Sequence, residues 1–369
     1  MGWRQRPLET LEMNPGFWKG RRVFITGHTG FKGAWLALWL QKVGAGVTAF
    51  SLAPPTQPNL FEAAQAALGI NSIHGDIRDF DALGTALRDS KASVVFHLAA
   101  QATVADGYRF ARDTFATNVT GTLNLLDAMR ECPGVEAAVV VTSDKCYVPS
   151  ALGAPLRESD PLGGKDPYSA SKSCADIATA SWRESFFNLE DSPRIATARA
   201  GNVIGGGDWA AHRLLPDIVR AFQAGTPLSL RMPEAVRPWQ HVLEALAGYL
   251  LLAEHLCGKD GNRHAHAWNF GPADADHLTV GEVAERCAGL WGGNARVEVA
   301  GANFQKETGT LRLDATHARA VLGWNPHWNA DQALRHTLDW YRAWYANPED
   351  SAHIRALTLA QIDNYTATP

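Results

Sequence analysis

A β-rich run, Arg22–Thr26, leads without a break into Gly27-His28-Thr29-Gly30-Phe31-Lys32-Gly33, and a helical stretch, Ala34–Val43, follows at once. Glycines at this G-x-x-G-x-x-G spacing allow a tight turn, let backbone N–H groups approach a pyrophosphate, and let a helix pack close to a strand. The start of the new helix then favours the anion. Three glycines alone are an ordinary turn. A strand before them and a helix after them point to dinucleotide binding through Gly27, Thr29, Gly30, Phe31, Lys32 and Gly33.

The chain beyond the loop repeats the same alternation. Runs at Val47–Ser51, Val94–Leu98 and Ala138–Thr142 are separated by stretches with apolar residues every three or four positions, and a further strand is expected at Ile195–Ala200. Short apolar strands alternating with helices predict βαβ units and a parallel sheet. The fold expected is α/β: a doubly wound parallel (Rossmann) sheet over residues 17–202, with a returning segment near 237–268. After residue 202 glycine and proline become frequent (IGGGDW, RMPEAVRPW, NFGPADAD), which predicts a smaller α+β lobe over 203–345. The tail, 346–369, is expected to wrap or fray.

Composition removes several classes of function. The net charge is −4, without a basic excess to steer nucleic acid. No apolar run reaches the roughly 18 residues of a membrane span, and residues 1–20 lack the apolar core of a signal peptide. The five cysteines are odd in number and never spaced C-x-x-C, so reduced thiols in a cytoplasmic protein are expected rather than disulfides or a structural zinc. His264 and His266 lie two apart without further ligands nearby and read as loop residues, so no metal is expected.

The second strand ends Ala49-Phe50-Ser51-Leu52, without the carboxylate that often holds the ribose hydroxyls. Nor does an arginine occur over 51–60 to grip a 2′-phosphate, and that absence favours NAD over NADP. Asp76 and Ile77 follow a third strand, where a carboxylate can meet the adenine amino group. Leu98, Ala99 and Ala100 end a fourth, with small residues that let a ribose approach.

Two clusters carry chemistry. In Asp166-Pro167-Tyr168-Ser169-Ala170-Ser171-Lys172, a cap and a first-turn proline open a helix that sets Tyr168 and Lys172 one turn apart on the same face. A phenol titrates near pH ~10. A neighbouring ammonium and a positive nicotinamide favour phenolate, which makes Tyr168 a base for a hydroxyl proton while hydride leaves carbon. The other cluster is Ser143-Asp144-Lys145, directly after an apolar strand, where ligands bind in open α/β sheets. An alcohol dehydrogenase needs only the hydroxyl. The added acid and amine suggest a second reaction such as elimination.

Taken together, the glycine loop, the triplet and Tyr168/Lys172 resemble the extended short-chain dehydrogenases over roughly residues 17–340. Within them, dTDP-glucose 4,6-dehydratases carry Thr-Asp-Glu where this chain has Ser143-Asp144-Lys145. That change, with GHTGFKG, YRFARDTFATNVTGTLNLLDA, ARAGNVIGGGDW, RPWQHV and LRLDATHARAVLGWNP, resembles the CDP-glucose 4,6-dehydratases. The resemblance implies a CDP-glucose substrate and a catalytic rather than consumed NAD. It implies that Tyr168, helped by Ser143, deprotonates the C4 hydroxyl as hydride goes to NAD, and that Asp144 protonates the departing C6 hydroxyl. Hydride then returns to C6, giving a 4-keto-6-deoxy sugar. Lys145 stands where the related family has its C5 base. Either it abstracts that proton, which requires a lowered pKa, or it stays charged and stabilises the enolate or orients Asp144. A 4-epimerase needs Tyr168 and Lys172 but not Asp144 with Lys145.

The resemblance also implies that Asn118 belongs to the cofactor site. Asn202 ends the strand expected at Ile195–Ala200 and precedes the glycine run, where a sugar diphosphate is met. Arg237 is the strongest pyrophosphate candidate, because guanidinium grips phosphate oxygens in a fork, with Trp239 beside it. Arg213 is expected to face the nucleotide. Glu307 resembles a substrate-lobe position, although Gln305-Lys306 departs from the family's pattern. The long helices expected at Phe110–Arg130 and Tyr168–Phe187 commonly pair with their copies in this superfamily, which implies a homodimer or homotetramer.

Overall fold

The computed structural model describes residues 13–150, 153–299 and 309–368. Its strands, in chain order, are β1 (Arg22–Thr26), β2 (Gly46–Ser51), β3 (Asn71–His74), β4 (Val94–His97), β5 (Ala137–Val141), β6 (Arg194–Ala200), β7 (Asn202–Ile204), β8 (Leu228–Leu230), β9 (Val236–His241), β10 (Ala267–Phe270), β11 (His277–Thr279) and β12 (Val297–Val299). Seven of them form one parallel sheet in the order β10-β6-β5-β4-β1-β2-β3. From β1 the chain proceeds outward through β2 and β3, then crosses back to β4 and runs the other way. The order therefore reverses between β1 and β4, and the loops leaving these two strands open a crevice there.

The central strands are apolar on both faces because helices cover both; every residue of β5 is buried. The Phe31–Lys42 helix is buried from Gly33 to Leu40 rather than along one stripe. It lies under the sheet on one side and under the chain's last helix and the Val242–Cys257 helix on the other, so Trp35 and Trp39 are enclosed all round.

The long helix expected over Phe110–Arg130 runs instead from Ala111 to Phe115, widens into a π turn over Ala116–Thr120, and continues as Gly121–Arg130. The widened turn carries Asn118, which is buried. A single π turn inside a helix shifts side chains out of the 3.6-residue repeat, and no apolar periodicity announces it.

The smaller lobe holds a three-stranded sheet, β11-β9-β7, and the pair β12-β8. After β9 the chain returns as the Val242–Cys257 helix, which packs on β5 and β6, and then as β10 at the main sheet's edge. Part of the expected returning segment, β9, belongs to the lobe sheet instead, because it pairs with β7 and β11. The tail wraps. A capped helix, Ala330–Ala346, is followed by Ser351–Thr366, whose Tyr365 hydroxyl donates to the buried Glu244 at 2.7 Å. His266, in the bend just before β10 as expected of a loop residue, stacks on Trp268 at 4.2 Å between ring centres, and His317 stacks on the same indole at 4.6 Å.

Candidate active site

The glycine loop is shaped by close approach. Gly27 has φ +82°, and a Cβ there would lie 2.5 Å from the Ala99 nitrogen; a Cβ on Gly33 would lie 2.1 Å from the Gly27 carbonyl oxygen. Gly30 caps the Phe31–Lys42 helix without any side-chain bond, so the first N–H groups of that helix are left to a ligand. The residues present thus fit a dinucleotide pyrophosphate. Thr29 ties the loop to the end of β2, bonding the Ser51 hydroxyl at 2.7 Å and the Leu52 carbonyl at 2.9 Å. Phe31 reaches toward Gly205 in the IGGGDW run. Ile77 packs on Gly121, where an added Cβ would come within 2.4 Å of it.

Leu98, Ala99 and Ala100 leave β4 beside this loop, held by a polar chain. The Thr122 hydroxyl donates to the Asn118 carbonyl at 2.7 Å, so its oxygen accepts from His97 Nε2 at 3.0 Å; His97 Nδ1 then accepts from Thr26 at 2.7 Å. Burial keeps His97 neutral by pushing its pKa down to about 3. The Asn118 amide bonds both backbone groups of Gln101 and the Ser171 hydroxyl. It therefore positions the β4 loop against the Tyr168 helix. Asp76 turns both carboxylate oxygens to Arg78, and that bond lowers its pKa.

Across the crevice, the Ser143-Asp144-Lys145 triplet leaves the end of β5, and Asp144–Cys146 form a short 3₁₀ turn. The Ser143 hydroxyl donates to Asp144 Oδ1 at 3.1 Å, while Oδ2 is buried without a partner. Burial raises the Asp144 pKa; Lys145, Ser143, Arg237 and Lys32 only partly offset it. Burial of this kind favours the neutral, proton-donating form of a carboxyl. Lys145 is half-buried beside it.

Tyr168 and Lys172 face the triplet from the Pro167–Phe186 helix, which Asp166 caps by accepting from the Ser169 N–H at 3.0 Å. Burial raises the Tyr168 pKa, and a hydrogen bond with Ser143 and the charge of Arg213 pull it back. Lys172 is turned toward the end of β5. Its ammonium donates to the Val141 carbonyl at 3.2 Å, and burial together with Lys32 lowers its own pKa to about 8.

Lys32, read from the sequence as a phosphate contact, is half-buried and lies within reach of the charges of Asp144, Asp208 and Arg213. Burial and Arg213 lower its pKa to about 8, while Asp144 and Asp208 oppose the shift. Arg213 comes from the lobe, pairs with Asp208 at 2.9 Å and donates to the Ala102 carbonyl at 3.3 Å. It thus sits near Tyr168. Arg237 in β9 is buried and donates to the Val236 and Gly309 carbonyls at 2.9 and 3.2 Å. Trp239 gives its indole N–H to Leu278 within the lobe, and Asn202 lies opposite it in the β7–β9 register. Glu307 lies outside the described residues. Asp208 was missed in the sequence because an aspartate in a glycine run reads as turn chemistry. Only the fold brings it beside Lys32 and Arg213.

The model of the NAD dependent epimerase/dehydratase family matches residues 23–271. The chain belongs to that family. The CDP-glucose 4,6-dehydratase of Salmonella typhimurium is 43% identical over 336 residues, 90% of this chain and 93% of the relative. A UDP-glucose 4-epimerase of Halalkalibacterium halodurans is 24% identical, covering 87% of this chain and 95% of its own. Among solved structures, the dTDP-glucose 4,6-dehydratase of Streptomyces venezuelae, with NAD and TYD bound, superposes with a TM-score of 0.73. It shares 25% identity and covers 89% of this chain and 99% of its own. As a member of this epimerase/dehydratase family, the chain is an NAD-dependent enzyme with a Rossmann sheet.

Proposed function

We propose that this enzyme is a hydro-lyase that converts CDP-glucose to CDP-4-keto-6-deoxyglucose. The observation that carries this reading is Asp144: buried, its pKa raised, one oxygen unpartnered, and set between Ser143 and Lys145 opposite Tyr168. A 4-epimerase needs no such acid. The likeness to the Salmonella relative supports cytosine as the base.

When bound, NAD supplies the hydride acceptor at C4 and the hydride donor at C6. Tyr168 takes the C4 hydroxyl proton, and Ser143 holds that oxygen. With C4 a ketone, the C5 hydrogen is acidic. Asp144 gives its proton to the C6 hydroxyl as water leaves, while Lys145, in its neutral amine form, takes the C5 proton and returns it to C5 as hydride reaches C6. Arg237 and Asn202 meet the sugar diphosphate. Gly27 to Gly33, Asp76, Ile77 and Leu98 to Ala100 hold the dinucleotide within residues 17–202, and the lobe over 203–345 closes on the sugar nucleotide.

Exposed apolar side chains on neighbouring helices, Tyr108, Phe115, Ile177 and Phe186, with Phe110 and Leu189 in the turns beside them, support a homodimer or homotetramer built on these helices. Among the described residues no helix is long and apolar enough to cross a membrane, and the five cysteines are unpaired. Both fit a cytoplasmic enzyme.

The test is mass spectrometry after incubation with NAD and CDP-, dTDP-, UDP- and GDP-hexoses in parallel. Loss of one water from CDP-glucose, without net cofactor reduction, is expected. Interconversion of epimers without a mass change would hand the site to the epimerase reading.

A further inference from the structure

Below the reaction centre lies a buried polar network that the mechanism does not use. Asp176 follows Lys172 by one turn on the same helix, and its carboxylate takes four bonds. Thr142 Oγ1 and Arg199 Nε reach Oδ2 at 2.9 and 2.8 Å; Arg199 Nη2 and Thr197 Oγ1 reach Oδ1 at 2.7 and 3.2 Å. Arg199 then extends Nη1 to the Tyr147 oxygen at 2.8 Å and to the Glu158 carbonyl at 3.1 Å, and its guanidinium lies 4.9 Å from the Tyr147 ring centre. The Tyr147 hydroxyl in turn donates a hydrogen bond to Asn269 Oδ1 at 2.6 Å.

The placement of the two ends is what matters. Thr142 immediately precedes Ser143, and Tyr147 immediately follows the Asp144–Cys146 turn. Both ends of the catalytic turn are therefore tied, one directly and one through Arg199, to a single carboxylate. That carboxylate rides on the helix carrying Tyr168 and Lys172. Asn269 extends the tie to the lobe, donating to the Leu156 and Asp314 carbonyls at 2.9 and 3.2 Å. Burying an ion pair this deeply adds little stability over apolar packing, so its value lies in the geometry it enforces.

We propose that Asp176, Arg199 and Tyr147 are positioning residues that set the distance between the acid on the β5 turn and the base on the Tyr168 helix. This rests on the dehydratase reading, in which acid and base act in different steps. A turn that is free at one end still lets Tyr168 work but misplaces Asp144. A displacement of about an ångström costs on the order of a hundredfold.

The test uses Tyr147→Phe, which keeps the ring and removes only the hydroxyl, and Thr142→Val, which frees the other end at equal volume. Each is assayed on whichever nucleotide hexose the wild type turns over, so failure of the CDP-glucose assignment changes the substrate and not the test. The expected result for both is kcat lower by about a hundredfold and KM within about twofold of wild type. In single turnover the sugar nucleotide should be caught oxidised at C4 but still hydrated. A loss of folded protein with unchanged kcat per folded molecule would make the network structural only. Oxidation and dehydration slowed equally, or a change in KM alone, would also overturn the proposal.

Discussion

Ser143 donates its hydroxyl to Asp144 Oδ1 at 3.1 Å, and the other carboxyl oxygen is left buried and unpartnered. The same serine also opposes the burial-driven rise of the Tyr168 pKa, so it lies beside the phenol as well. One hydroxyl therefore stands between the group that must take a proton and the group that must give one. Asp144→Asn keeps the shape and removes the acid. Dehydration is expected to fall by about a hundredfold or more, while C4 oxidation persists, as read by quenched-flow mass spectrometry. Equal loss of both steps would move Asp144 from acid to general scaffold.

Lys32 supplies a second test of the site's electrostatics. Its charge lowers the pKa of both Asp144 and Lys172, opposing the larger effect of burial on Asp144 and adding to it on Lys172. In Lys32→Met, Asp144 holds its proton to higher pH and Lys172 stays charged to higher pH. The limb of the kcat profile on which the acid is lost should move to the alkaline side. A shift the other way would show that Lys32 does not face these groups.

Gly33→Ala places a methyl 2.1 Å from the Gly27 carbonyl oxygen. The loop must open or the helix must slide, at a cost of about 3 kcal/mol. Calorimetric titration should show weaker NAD binding together with a lower melting temperature. Unchanged binding would mean that the loop relaxes without loss of the cradle.

Glu244 governs the tail. It is fully buried, accepts the Trp328 N–H at 2.7 Å and the Tyr365 hydroxyl at 2.7 Å, and burial lifts its pKa to about 7 from the ordinary 4.5. A raised folded-state pKa means that the stability it contributes is complete below the unfolded value and is lost as pH rises through the folded one. Glu244→Gln keeps the shape without a charge: its amide oxygen accepts the Trp328 N–H and its NH2 can donate to the Tyr365 oxygen. From about pH 5 to about pH 8 the wild type should lose melting temperature relative to this variant. Parallel curves would exclude Glu244 as the titrating anchor.

The sequence by itself determined the elements that rest on local rules. The glycine loop, the apolar parallel strands, the capped Tyr168 helix and the triplet at the end of β5 were all legible, because turn geometry, two-sided burial and helix periodicity act over a few residues. Tertiary structure decided the rest. It placed Lys32 of the phosphate loop within reach of the charge of Asp144, brought Arg213 and Asp208 in from the lobe, and used Asn118, in a π turn without a periodic signal, to brace the β4 loop. It also joined Thr142, Tyr147, Asp176 and Arg199, which are separated by up to 57 positions, into one tie. Which charges share a buried space depends on how the crossings of the sheet fold back over one another, and pKa values follow from that shared space. No window of the sequence holds that information.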